Sequence, residues 1–149
     1  MKIDLLVGST LGGTEYVAEE LAQKLEDHQV TLHLDSQLSD LDPSAFWLVC
    51  TSTHGAGDVP DNLAPLYEQL LSEQPNLAGT HYAVAAIGSS SYDTFCGAGH
   101  AFDKQLQALG ATALVELIEI DVEQEALPED TASEWLDQWK QKLHDLNCG

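Results

Sequence analysis

The chain has 149 residues, of which 25 are acidic and five are lysine, with no arginine, so that its formal net charge is −20. This charge excludes nucleic acid and anionic membrane surfaces as favoured partners, because both present negative phosphates. Hydrophobic residues make up 44% of the chain, which is enough to bury a core, and we predict one folded domain over residues 1–149.

Hydrophobic periodicity predicts five strands that alternate with four helices. The strands are predicted at residues 2–8, 30–34, 46–52, 82–88 and 113–121, and the helices at 14–27, 62–73, 99–109 and 130–146. Such alternation is typical of a parallel sheet with helices on both faces. The third helix is followed by Gly110, a usual residue at a helix C-terminus. The last helix carries Trp135, Leu136, Trp139 and Leu143 on one stripe, which we interpret as core.

The cysteine pattern and the N-terminal sequence predict where in the cell the protein is located. The three cysteines, Cys50, Cys96 and Cys148, form no C-x-x-C pair, and the six histidines show no ligand spacing. We therefore predict a cytoplasmic protein with reduced thiols and no metal site. Asp4 interrupts an N-terminal apolar run that is already too short for a secretory signal, and no segment has the length of a membrane span.

The first predicted strand leads into a loop of small and hydroxyl residues, Gly8-Ser9-Thr10-Leu11-Gly12-Gly13-Thr14. A strand, a loop of this kind and a helix N-terminus favour an anion held by N–H and O–H groups. The loop lacks the lysine of the Walker pattern and the glycine spacing of GxGxxG. Because no cation is present, the loop indicates a cofactor monophosphate. A plain strand–helix turn is the alternative.

Two further predicted strands end in unusual loops, at residues 51–62 and 88–97. Each loop combines small residues with one planar side chain, His54 in the first and Tyr92 in the second. Ligands of parallel sheets bind beyond the carboxyl ends of the strands, so we expect the three loops to converge there. Two planar groups beside backbone amides suit a flat heteroaromatic ring.

The motifs GSTLGGTEYVAE, STHGAGDVPDN and SSYDTFCGAG resemble those of the short-chain flavodoxins, and in particular those of the MioC group. The resemblance covers nearly the whole chain. It implies a three-layer α/β sandwich whose five-stranded parallel sheet has the order 2-1-3-4-5. It also implies a non-covalently bound FMN and the role of an electron carrier, with no catalytic residue of its own.

The same resemblance assigns the FMN contacts to the three loops. The first loop and Ser52 would hold the phosphate, the other two loops would contact the ring, and Tyr92 would stack on its outer face. The residues assigned in this way are Ser9, Thr10, Leu11, Gly12, Gly13, Thr14, Ser52, Thr53, His54, Gly55, Ala56, Gly57, Gly88, Ser89, Tyr92, Phe95 and Cys96. Leu11, His54 and Ser89 depart from the residues usual in the family.

The implied function is one-electron transfer from a flavoprotein reductase with a basic face to an acceptor redox enzyme, for which biotin synthase is a candidate. The acidic surface should attract basic partners, and we expect a monomer. Two alternatives stay open: an interaction or regulatory protein with weak or no FMN binding, and a stand-alone NAD(P)H-dependent quinone reductase. The second alternative is disfavoured, since the chain has no arginine for a 2′-phosphate.

Overall fold

The computed structural model describes residues 2–8, 13–34, 37–52, 59–88, 97–121 and 128–148. The strands within these ranges are β1 (Lys2–Gly8), β2 (Gln29–His33), β3 (Phe46–Ser52), β4 (His81–Gly88), β5 (Thr112–Ala113) and β6 (Ile118–Asp121). The helices are α1 (Gly13–Lys24), α2 (Ala64–Glu73), α3 (Gly97–Ala108) and α4 (Pro128–Cys148). A 3-10 turn at Leu38–Asp40 lies between β2 and β3, where the sequence predicts neither a strand nor a helix.

All described strand pairs are parallel and belong to one sheet. Its order is β2-β1-β3-β4-β5, and β6 also pairs with β4. The predicted order 2-1-3-4-5 is therefore confirmed, with β5 and β6 together in the fifth position. Among the described residues, no helix combines the length and the apolar character needed to cross a lipid bilayer.

The prediction of one continuous fifth strand at 113–121 is wrong. Ala113 pairs with Tyr82 and Ile118 pairs with Ala85. The edge segment therefore advances five residues between these two pairs, whereas β4 advances three. The two extra residues break the alternation of faces, because the consecutive Leu114 and Val115 both pack against the same core cluster. The apolar run from 113 to 118 conceals this break, since every position in it except Glu116 is hydrophobic.

The helices cover both faces of the sheet. On one face, α1 and α4 enclose alternate residues of the strands, such as Leu5 and Leu48. On the other face, α2 and α3 pack against the intervening residues, such as Leu6 and Val49. The predicted aromatic stripe of α4 lies in the first of these clusters, with Trp139 fully buried, which confirms its interpretation as core.

Helix boundaries differ from prediction where local hydrogen bonding ends the helix. α1 ends at Lys24, and the next residues form i→i−3 turns, such as His28 N–H to Leu25 O at 2.8 Å. The predicted end of α3 at Gly110 is confirmed within two residues. Gly110 has a φ of 97°, and Ala111 N–H donates to Leu106 O at 3.0 Å, which together form a Schellman motif.

Candidate functional site

The carboxyl ends of the central strands lie side by side at one edge of the sheet. Gly8 at the end of β1 is in register with Thr51 of β3, and Ser52 is in register with Ile87 of β4. Gly88 at the end of β4 is in register with Asp121 of β6. The strand ends that precede the segments 9–12, 53–58 and 89–96 therefore lie side by side, and the convergence of the loops themselves stays a prediction.

Two helix N-termini begin directly after these loop segments. α1 begins at Gly13 and α3 begins at Gly97. Thr14, in the first turn of α1, is only 4% exposed. Free backbone N–H groups in a first helical turn carry partial positive charge and attract anions, so the start of α1 suits a phosphate.

Gly8 has no room for a side chain. A Cβ atom at this position would lie 2.3 Å from Thr51 Oγ1 and 2.9 Å from Leu63 Cδ1. Both neighbours are fully buried, so they have little freedom to withdraw. A glycine at the end of β1 therefore lets β3 and the segment before α2 approach the root of the first loop.

Polar side chains fix the end of β1 from both sides of the second loop. Ser52 Oγ donates to the carbonyl of Gly8 at 3.2 Å. Asn62 Nδ2 donates to the carbonyl of Val7 at 2.6 Å and to that of Leu34 at 2.5 Å. The sequence analysis did not single out Asn62 as a site residue, although it ends the motif STHGAGDVPDN.

The positive charges of the chain lie away from this edge. Lys2 begins β1 at the opposite end, about 20 Å from Gly8 at strand spacing. Lys24 lies in the last turn of α1, and Lys140 and Lys142 lie in the second half of α4. Lys104 lies in the second half of α3, about 10 Å along the helix from Gly97. A phosphate at the start of α1 would be held by hydrogen bonds and the helix dipole.

Acidic residues, by contrast, are present at this edge. Glu15 is exposed in the first turn of α1, and Asp61 is exposed in the turn before α2. Glu119 of β6 accepts from His100 Nε2 of α3 at 2.9 Å, and both side chains are about half exposed. Negative charge near a bound redox group makes its reduction less favourable, which would lower the potential of that group.

Cys50 is a structural thiol. It is fully buried on β3, and its Sγ lies 4.0 Å from the carbonyl of Thr14. Burial raises the pKa of the Cys50 thiol to about 12, because the thiolate would lose its hydration. The thiol is therefore protonated at neutral pH, the form in which a cysteine is a poor nucleophile. Within the described ranges, no group of three or more His, Cys, Asp or Glu side chains is placed to bind a metal.

The structure describes four of the predicted FMN contacts, and all four lie at the carboxyl edge: Gly13, Thr14, Ser52 and Gly88. Ser52 uses its hydroxyl hydrogen to hold β1, so a phosphate contact from it stays a prediction. The other predicted contacts lie outside the described residues, namely Ser9, Thr10, Leu11, Gly12, Thr53, His54, Gly55, Ala56, Gly57, Ser89, Tyr92, Phe95 and Cys96.

Comparison with known families decides the classification. Residues 5–135 match the profile of the Flavodoxin family. The chain belongs to the flavodoxin family. This flavodoxin is 49% identical to protein MioC of Escherichia coli O157:H7 over 140 residues, which cover 92% of the chain and 95% of that relative. It is 39% identical to flavodoxin YqcA of Escherichia coli K12 over 145 residues, which cover 93% and 95% of the two chains.

Solved structures agree with this membership. A cysteine-to-serine mutant of flavodoxin from Pseudomonas aeruginosa superposes with a TM-score of 0.84 at 33% identity, covering 93% of this flavodoxin and 96% of that chain. Family membership makes this flavodoxin an FMN-binding electron carrier rather than an enzyme, and flavodoxins accept electrons from reductases. The predictions of FMN as cofactor and of electron transfer as function are confirmed.

The described residues fit FMN on chemical grounds. A monophosphate needs N–H and O–H donors, and the first turn of α1 with Thr14 offers both. Gly8 has no Cβ, so the end of β1, from which the first loop starts, can lie close to Thr51 of β3. Such a close approach suits a compact anion-binding loop. No lysine competes for the phosphate at this edge, in contrast to sites built for triphosphates.

Proposed function

We propose that this flavodoxin binds FMN across the carboxyl ends of β1, β3 and β4. The phosphate would be held by residues 9–14 together with Ser52, and the ring by residues 53–57 together with Gly88, Ser89, Tyr92, Phe95 and Cys96. The alignment of the three strand ends in one register carries this proposal, since a single ligand can then contact all three loops. When bound, FMN supplies a centre that accepts and releases single electrons.

A binding titration tests this site. Flavin-free protein is expected to quench the fluorescence of added FMN at one equivalent, with a dissociation constant below about 1 µM. Thr14→Val tests the phosphate contact, because it keeps the shape of the side chain and removes only its hydroxyl, and riboflavin is the control ligand. We expect it to weaken FMN about tenfold and to leave riboflavin binding unchanged, since riboflavin has no phosphate. If wild-type protein left micromolar FMN unquenched, the proposed site would be wrong.

We further propose that the donor is a reductase with a basic face and that the acceptor is a redox enzyme. Biotin synthase remains a prediction that rests on the resemblance alone. The net charge of −20 supports electrostatic docking, because it accelerates encounter with a basic surface. The same charge disfavours self-association and supports a monomer, and the cysteine pattern supports a cytoplasmic location.

The salt dependence of reduction tests the docking proposal. Reduction by an NADPH-dependent flavoprotein reductase is expected to slow about tenfold between 0.05 M and 0.5 M salt, because screening shortens the range of the attraction. Dithionite provides the control. It is an anion that the acidic protein repels, so its reaction should become faster over the same range. Reduction by the reductase at a rate independent of salt would contradict electrostatic docking.

A further inference from the structure

The last two carbonyls of β1 each accept a hydrogen bond from a side chain of the second loop, one on either side of the segment 53–58. Asn62 Nδ2 donates to Val7 O at 2.6 Å, and Ser52 Oγ donates to Gly8 O at 3.2 Å. The loop segment 9–12 begins directly after Gly8, and the segment 53–58 lies between the two donors in sequence. The end of β1, from which the first loop starts, is therefore hydrogen-bonded to residues near both ends of the second loop.

Asn62 also bonds to the chain at the end of β2. Its Nδ2 donates to Leu34 O at 2.5 Å, directly after β2. An asparagine amide has two N–H hydrogens on one atom, and these two bonds use both. Aspartate of the same shape has no hydrogen to donate when ionised, and serine has only one. Neither aspartate nor serine could therefore make both of the hydrogen bonds that Asn62 makes.

The position of Asn62 is itself well fixed. The N–H groups of Leu63 and Ala64 both donate to Pro60 O at 2.9 Å, which closes the turn that leads into α2. Leu63 is fully buried beside Gly8, where its Cδ1 would lie 2.9 Å from an added Cβ. The Asn62 amide is therefore anchored to a rigid turn, and its bonds set the position of β1 relative to that turn.

We propose that Asn62 is a positioning residue that fixes the spacing between the first and second loops so that one ligand can engage both. This inference rests on the proposed FMN site, in which the phosphate contacts the first loop and the ring contacts the second. FMN reaches both loops and requires the correct spacing. Riboflavin has the ring without the phosphate and requires only the second and third loops. Loss of the Asn62 bonds therefore penalises FMN more than riboflavin.

The test is the ratio of FMN affinity to riboflavin affinity in Asn62→Ala and Asn62→Asp, measured by fluorescence quenching of flavin-free protein. We expect the FMN dissociation constant to rise at least about tenfold, because two hydrogen bonds are lost, while that of riboflavin changes less than about threefold. Asn62→Gln keeps both amide hydrogens on a side chain one methylene longer and should give an intermediate ratio, and it provides a milder variant should either of the others fail to fold.

Asn76→Ala is the matched control. Asn76 Oδ1 accepts from Ala78 N–H at 3.0 Å in the turn before β4, at the opposite edge of the sheet. Its loss should leave the ratio unchanged, and thermal unfolding of each flavin-free variant measures any general loss of stability. If the Asn62 variants lost FMN and riboflavin affinity equally, or lost neither, the positioning role would be wrong while the FMN site stood. Wild-type protein that bound no FMN would overturn the proposed site and this inference with it.

Discussion

Replacing Trp139 by alanine is expected to lower the free energy of unfolding by about 4 kcal/mol, because it removes a large buried side chain and leaves a cavity. Trp139 is fully buried between α4 and the sheet. Its ring centroid lies 5.6 Å from that of Phe46 and 5.1 Å from that of Trp135, so two aromatic contacts are lost as well. Urea unfolding of the flavin-free variant and wild-type protein measures the loss.

Two variants separate aromatic packing from other causes. Trp139→Phe should cost less than about 2 kcal/mol, because it keeps one ring and removes an indole N–H that has no hydrogen-bond partner among the described residues. Tyr16→Ala, at a side chain that is 70% exposed on α1, should change stability by less than about 0.5 kcal/mol. Equal losses in Trp139→Ala and Tyr16→Ala would contradict the assignment of Trp139 to the core.

Asp4→Ala is expected to cost about 3 kcal/mol of stability, because it removes a buried carboxylate together with its contacts to His33 and to the backbone N–H of Asp42. The Asp4 carboxylate is 1% exposed on β1. Its Oδ1 lies 3.0 Å from His33 Nε2 at the end of β2, and its Oδ2 accepts from Asp42 N–H at 3.0 Å. One carboxylate therefore joins β1 to β2 and to the segment before β3. Chemical denaturation at pH 7 measures the loss.

The chain provides a control pair with nearly the same geometry and a different environment. His100 Nε2 and Glu119 Oε2 are 2.9 Å apart, but their side chains are 53% and 44% exposed. Glu119→Ala should cost less than about 1 kcal/mol, because solvent already screens the pair and can replace it. If both substitutions cost the same, burial would not be the reason for the strength of the Asp4 contact.

The sequence predicted both the kind of site, a phosphate-binding loop before a helix, and its place at the carboxyl ends of the strands. The loop after β1 and the start of α1 at Gly13 could be read locally, because a strand, a small-residue loop and a helix follow one another along the chain. The register of Gly8 with Thr51 and of Ser52 with Ile87 confirms that the strand ends meet. The individual contacts of the ring, including Tyr92 and His54, stay predictions.

The contribution of Asn62 could not be read in the same way. A loop that ends in Pro-Asp-Asn before a helix is usual turn chemistry, and nothing in the local sequence distinguishes Asn62 from an ordinary turn residue. Its acceptors, Val7 and Leu34, lie 55 and 28 residues away in the chain. Only the parallel packing of β1 beside β2 brings their carbonyls within reach of one amide.

The sequence by itself determined the alternation of strands and helices, the end of α3 near Gly110 and the buried stripe of α4, because periodicity and turn chemistry act between near neighbours. The tertiary structure alone decided the break between Ala113 and Ile118, the burial of Asp4 against His33 and the position of Asn62. These features depend on register and on contacts between distant segments, such as the 29 residues that separate Asp4 from His33. A local pattern assigns a polar residue to a strand, helix or turn, but its partner is chosen by the packing of the sheet.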